Sequence, residues 1–239
     1  MSPLRAPHRS LALALVALVA AVGCGSSQFR YVAHDDTQTF LKVPRDWKMY
    51  DSDLLVEAEA AAVEAAGEDA PSFVDQAFQG QLQWRVAFDG DPHPEPVNAV
   101  SYAEAPVVEV RVRQLTEDER DRVNIASLRN IFFPYDQLKA QLAQERAETP
   151  LEPNPPITSS FRPLSEEEIQ LEGGIRGSRL RFELRQNDRF YVIDQTALLD
   201  GEASRVHVLL MRASEEEFIL QRKLLDEIAS SFTVKHKKG

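Results

Sequence analysis

Hydrophobic and polar positions alternate or recur at helical spacing along most of the chain. Thr39, Leu41 and Val43 alternate with Phe40 and Lys42, which predicts a strand stopped by Pro44. Asp51, Ser52 and Asp53 can cap a helix beginning near Leu54, and the run LLVEAEAAAVEAAG ends it at Gly67. Leu82, Trp84, Val86 and Phe88 alternate with polar or small residues, as do Val108, Val110 and Val112. Both read as half-buried strands. Thr116 and Glu119 have capping-box spacing, so one helix is expected over 117–133, stopped by Pro134. A further helical piece covers 136–148. Five prolines mark 149–163 as an extended connector without secondary structure of its own.

The last third predicts a meander. Gly173-Gly174 makes a hairpin turn into a strand on which Leu180, Phe182 and Leu184 alternate with charged residues. Residues 186–189 turn the chain into a strand over 190–199. Residues 206–211 are nearly all apolar, which marks a central strand. Ser214 and Glu217 then cap a terminal helix burying Phe218, Leu225, Ile228 and Phe232. Three antiparallel strands and a helix covering one sheet face is the expected packing. Trp84, Phe182 and Phe232 are expected in the core.

The N-terminus has a different pattern. Arg5, His8 and Arg9 precede the apolar run LALALVALVAAVGC at 11–24, and no acid occurs before Asp35. That is the layout of a secretory signal. About a dozen apolar residues are too few for a permanent span, which needs about 20. The run ends in Ala21-Val22-Gly23-Cys24 and so resembles a bacterial lipoprotein signal, in which small residues precede an obligatory cysteine. The resemblance implies removal of 1–23, diacylglyceryl and palmitoyl modification of Cys24, and residence on the extracytoplasmic face of the cell membrane. Ordinary secretory cleavage after Gly23 is the alternative. Cys24 is the only cysteine, so no internal disulfide can form, and lipidation would consume the thiol. Two acyl chains anchor stably where one does not.

Charge narrows the partners. The 239-residue chain has 27 basic and 38 acidic residues, net −11. Loss of Arg5 and Arg9 with the leader takes the net charge to −13. Such a domain is unsuited to nucleic acid or to spreading on anionic lipid, and is expected to be repelled by the membrane that tethers it and to stand off from it. The expected organisation is a signal at 1–23, a tether at 24–28 and one α/β domain over 29–239.

The phrase Phe40-Leu41-Lys42-Val43-Pro44 with Trp47, the antiparallel meander, and a final helix running into Ser231-Phe232 together resemble the PsbP-like family. The resemblance implies an α/β/α sandwich, a mainly antiparallel sheet with helices packed on it. It makes residues 54–163 a long helical and proline-rich insertion. It implies an accessory or binding role, with no shared catalytic residues and no cofactor.

Candidate chemistry is sparse. The loop DGDPHPEP at 89–96 offers carboxylates and His93, but its prolines hold the side chains apart, so a solvated turn is expected rather than a metal site. The GGIRGS stretch at 173–178 opens a strand, not a helix, unlike a phosphate cradle. No GxSxG frame supports a hydrolytic triad, and no catalytic residue is assigned. Glu166–Glu168 and Glu215–Glu217 read as helix-start charge. His207, in an apolar strand, reads as a core or edge residue. The polar sides of the strands carry Arg85, Arg111, Arg113, Arg179, Arg181 and Arg185. On one sheet face these would make a basic patch, with Arg111, Arg113, Arg179 and Arg181 as candidate ligands for an anionic polymer or envelope protein. The alternative is that acidic helices or cross-strand pairs neutralise them. The functional expectation is therefore a lipid-anchored, non-enzymatic accessory. An envelope enzyme without a recognisable motif and a ligand-capturing transporter lipoprotein are the competing readings.

Overall fold

The computed structural model describes residues 28–66, 82–148, 160–186 and 188–235. The leader and Cys24 lie outside them. The observed class is the expected one: antiparallel sheets with helices packed on both sides.

The chain opens with strands β1 (Phe29–His34), β2 (Thr39–Pro44) and β3 (Lys48–Asp51), then helix α1 (Ser52–Ala66). Strands β4 (Leu82–Asp89) and β5 (Val107–Gln114) follow, then the short helices α2 (Glu117–Arg122) and α3 (Ile125–Arg129), and α4 (Tyr135–Glu148). Strands β6 (Phe161–Gln170), β7 (Arg176–Gln186), β8 (Arg189–Leu199) and β9 (Arg205–Ser214) form the meander. Helices α5 (Glu215–Leu220) and α6 (Arg222–Ser231) lead into the short β10 (Thr233–Val234).

The main sheet has seven strands in the order β3-β4-β5-β9-β8-β7-β6. The nearly all-apolar β9 takes the centre, as its composition requires. A small sheet, β1-β2-β10, lies against one face together with α5 and α6. There Leu41 and Val43 meet Val86, Phe88, Val110, Leu209 and Met211, and Phe218, Leu225, Ile228 and Phe232 complete the core. The opposite face is covered by α1, through Leu55, and by α3 and α4, through Leu128, Tyr135 and Leu142.

Several expectations need correction. Within the stretch 54–163 read as an insertion, Leu82–Asp89 and Val107–Gln114 supply β4 and β5, two interior strands of the sheet. The helix expected over 117–133 breaks at Val123, where Asn124 caps a second short helix by accepting from the Ser127 N–H at 3.0 Å. Residues 161–163 of the connector begin β6, and Glu166–Glu168 lie inside that strand rather than at a helix start. An edge strand tolerates Pro163 and exposed acids, which blunt it against further pairing. The terminal helix is divided at Gln221. Trp84 is only half-buried near the start of β4, stacked on His34 with ring centroids 4.7 Å apart, while Phe182 and Phe232 are buried.

The turn between β6 and β7 needs its glycines. Gly173 and Gly174 have φ of 73° and 76°, which other residues rarely adopt.

Candidate functional site

The arginines do not share one face. Arg111 pairs with Val208, Val208 with Ala197, and Ala197 with Ser178. Arg179, one residue beyond Ser178, therefore points to the other side. Arg85, Arg111 and Arg113 lie on the face covered by α1–α4, and Arg179, Arg181 and Arg185 on the face covered by α5 and α6. The expectation of a single basic patch fails because alternation fixes sides within a strand, while register decides which sides coincide between strands.

On the α1 side, Arg85 and Arg111 are cross-strand partners and both donate Nε–H to Glu109 Oε1 at 2.7 Å. Arg85 also makes a two-pronged contact with Glu59 of α1, at 3.0 and 2.5 Å. Arg212, from β9, is completely enclosed, 3.5 Å from Glu109 Oε2, and donates to the carbonyls of Ala99 and Ser101. Burial alone would push the Glu109 carboxyl up, but Arg111, Arg85 and Arg212 together pull it down to about 2. Burial likewise opposes the charge on Arg85, and Glu109 and Glu59 outweigh it, so its pKa rises. For Arg212 burial wins and the pKa falls.

Arg113 donates to Glu119 at 2.5 Å, which ties β5 to α2. Glu119 also closes the capping box with Thr116. Arg113 borders a groove of about 260 Å³ with Leu115, Arg122 and Asn130.

On the α6 side, the fully buried Asp194 of β8 accepts from Arg179 at 2.9 and 2.8 Å and from Arg181 at 2.8 and 2.5 Å. Asp226 of α6 closes the cluster from above, 3.2 Å from Arg179 and 2.5 Å from Arg181. Burial would raise the Asp226 pKa, but the two arginines lower it. Arg185 pairs with the exposed Asp188 at the hairpin. All six arginines are thus met by carboxylates of the same chain, four of them by clusters that bolt a helix to the sheet.

His207 is a core residue, hydrogen-bonded through Nδ1 to Thr39 Oγ1 at 2.9 Å. Thr39 bonds Thr37 at 2.9 Å, and Thr37 bonds His34 at 2.8 Å. This polar chain joins the small sheet to the large one. Burial depresses the His207 pKa to about 4. In the 89–96 loop, Asp89 is buried and accepts from the N–H groups of Asp91 and Glu95 and from Asn98. Its carboxylate is spent on shaping the turn.

The residues that give these clusters their form were hidden in the sequence. Glu59 lies in a helix rich in acids, and Arg212 sits past the alternating stretch of its strand. Asp194 had one signal, an acid within the otherwise uncharged run FYVIDQTALL.

No family model matches the chain, and no curated protein matches it. Among solved structures it is similar to the cyanobacterial PsbP (CyanoP) of Synechocystis sp. PCC 6803, with TM-score 0.47 and 12% identity over 89% of this chain and 96% of that one. It is also similar to LpqN of Mycobacterium tuberculosis, described as involved in cell envelope biogenesis, with TM-score 0.45 and 17% identity over 87% and 91%. The Ran-binding protein Mog1p of Saccharomyces cerevisiae has TM-score 0.38 and 12% identity over 86% and 95%. These similarities concern the course of the chain and bring no residue roles.

Proposed function

We propose that this chain is a lipid-anchored accessory domain of the bacterial cell envelope, acting by binding or assembly rather than catalysis. The observation that carries the reading is the position of Cys24. It is the only cysteine, it follows Ala21-Val22-Gly23 at the end of an apolar run, and β1 begins five residues later. A secretory leader explains the basic start and short apolar run, and lipidation explains a lone cysteine at that point. The non-catalytic part draws support from the strand arginines. Their carboxylate partners come from the sheet, one hairpin turn and the covering helices, and the pairs that reach the helices fasten layers together.

The test is fractionation of cells expressing the native chain and Cys24→Ser. The native chain is expected with the membranes, and the variant as soluble protein or uncleaved precursor. Processed Cys24→Ser protein that stays with the membranes contradicts the anchor.

A further inference from the structure

The small sheet has an outward face that differs from the rest of this acidic protein. Leu41, Val43 and Val234 point into the core. By alternation, Tyr31 and Ala33 of β1, Phe40 and Lys42 of β2, and Thr233 of β10 point away from it. Lys235 follows directly and is exposed. Tyr31 is 77% exposed, the largest exposure of any big hydrophobic side chain among the described residues. Lys42 Nζ lies 5.5 Å from the Tyr31 ring centroid, and Lys235 Nζ lies 4.5 Å from that of Phe40. The strand sequences FRYVAH, TFLKVP and TV contain no acid. Tyr31, Phe40, Lys42 and Lys235 of this face line a groove of about 400 Å³, together with Ser230 and the one acid Glu227.

We infer that this face lies against the anionic membrane surface, with Tyr31 and Phe40 at headgroup depth and Lys42 and Lys235 on lipid phosphates. The inference rests on the lipid-anchor reading. Tyr31 is seven residues after Cys24, so its Cα can stand at most about 25 Å from the anchored cysteine. The face is therefore held within reach of the bilayer whatever path the tether takes. Aromatic rings favour the interfacial layer, and lysines are attracted to an anionic surface within about a Debye length of it. The net charge of the whole domain repels that surface, so the docked orientation is the one that presents these acid-free strands, with Glu227 as the one acid lining their groove, and turns the acidic remainder outward.

The test reconstitutes the full lipidated chain carrying Tyr31→Trp into vesicles containing brominated phosphatidylcholine, with and without phosphatidylglycerol. The native chain, with Trp47 and Trp84, supplies the background. The added emission is expected to be lost to bromine quenching in vesicles with phosphatidylglycerol, and retained when Lys42→Glu and Lys235→Glu are added. Raising salt from about 0.1 to about 1 M is expected to restore emission, because the Debye length shrinks from about 10 to about 3 Å. Quenching equal to the native background, in chains that float with the vesicles, overturns the orientation and leaves the anchor standing. Failure to float with plain phosphatidylcholine vesicles overturns the anchor, and the orientation falls with it.

Discussion

Arg85 and Arg111 stand directly opposite each other on β4 and β5, and both donate to a single oxygen of Glu109, 2.7 Å from each. Like charges opposed across a ladder repel. Here the repulsion is answered by a carboxylate two residues away on the same strand as Arg111. Glu59 then extends the cluster to α1.

Glu109→Gln removes the charge that three guanidiniums surround. Breaking a buried ionic cluster from one side costs about 3–5 kcal/mol, because the partners stay buried without their counter-charge. Urea unfolding of the mature domain is the measurement. A midpoint unchanged from the native one would show that the cluster does not hold α1 to the sheet.

Two buried groups with lowered pKa, Glu109 and His207, give stability a pH profile. Glu109 falls from 4.5 to about 2 in the fold. A depressed carboxyl contributes stability above its unfolded value and loses it as pH falls toward the folded one. The gap between native protein and Glu109→Gln is therefore expected to be level above about pH 4.5 and to narrow below it. His207 falls from 6.5 to about 4. The unfolded chain takes up that proton first, so stability declines as pH drops from about 6.5 to about 4. At about 1.4 kcal/mol per pKa unit the decline is about 3 kcal/mol. His207→Gln is expected to flatten this stretch in melts across the range.

Asp194 and Asp226 hold the same two arginines from different depths. Asp194 is fully buried, and Asp226 has 42% of its side chain exposed. Asp194→Asn is expected to cost about 3–5 kcal/mol, and Asp226→Asn about 0–1 kcal/mol. Equal losses in chemical denaturation would mean that Asp226 on α6 holds the cluster as strongly as Asp194 on β8, against this expectation.

Core aromatics follow burial. Phe182→Ala and Phe232→Ala are each expected to cost about 3–5 kcal/mol. Trp84→Ala, at a half-buried stack on His34, is expected to cost less than either. Near-native melting of Phe232→Ala would show that the terminal helices are not docked.

The strongly alternating strands were legible because apolar residues on one side and polar or charged residues on the other leave a period-two record in β4, β5 and β7, although helices on both sides bury most of β4 and β5 rather than half of each. The start of the terminal helical region was legible from its cap, where the Ser214 hydroxyl accepts from Glu217 N–H. Edge strands left no such record. In β6 both faces are largely polar, and Glu166–Glu168 imitate a helix start. The break at Val123 was hidden because continuous helical spacing outweighed one Asn that can cap. The arginine clusters were half legible. Which arginines share a strand side follows from parity, but Arg111 and Arg179 parted company at β8, whose register no local pattern records. Partner acids on α1 and α6 are set by tertiary packing alone.

The most direct test of the account is the intact mass of the native protein recovered from membranes, together with its N-terminal peptide. The account predicts a chain that begins at Cys24 and carries a diacylglyceryl group on the sulfur. A mature chain with a free Cys24 thiol, or one that retains residues 1–23, would contradict it.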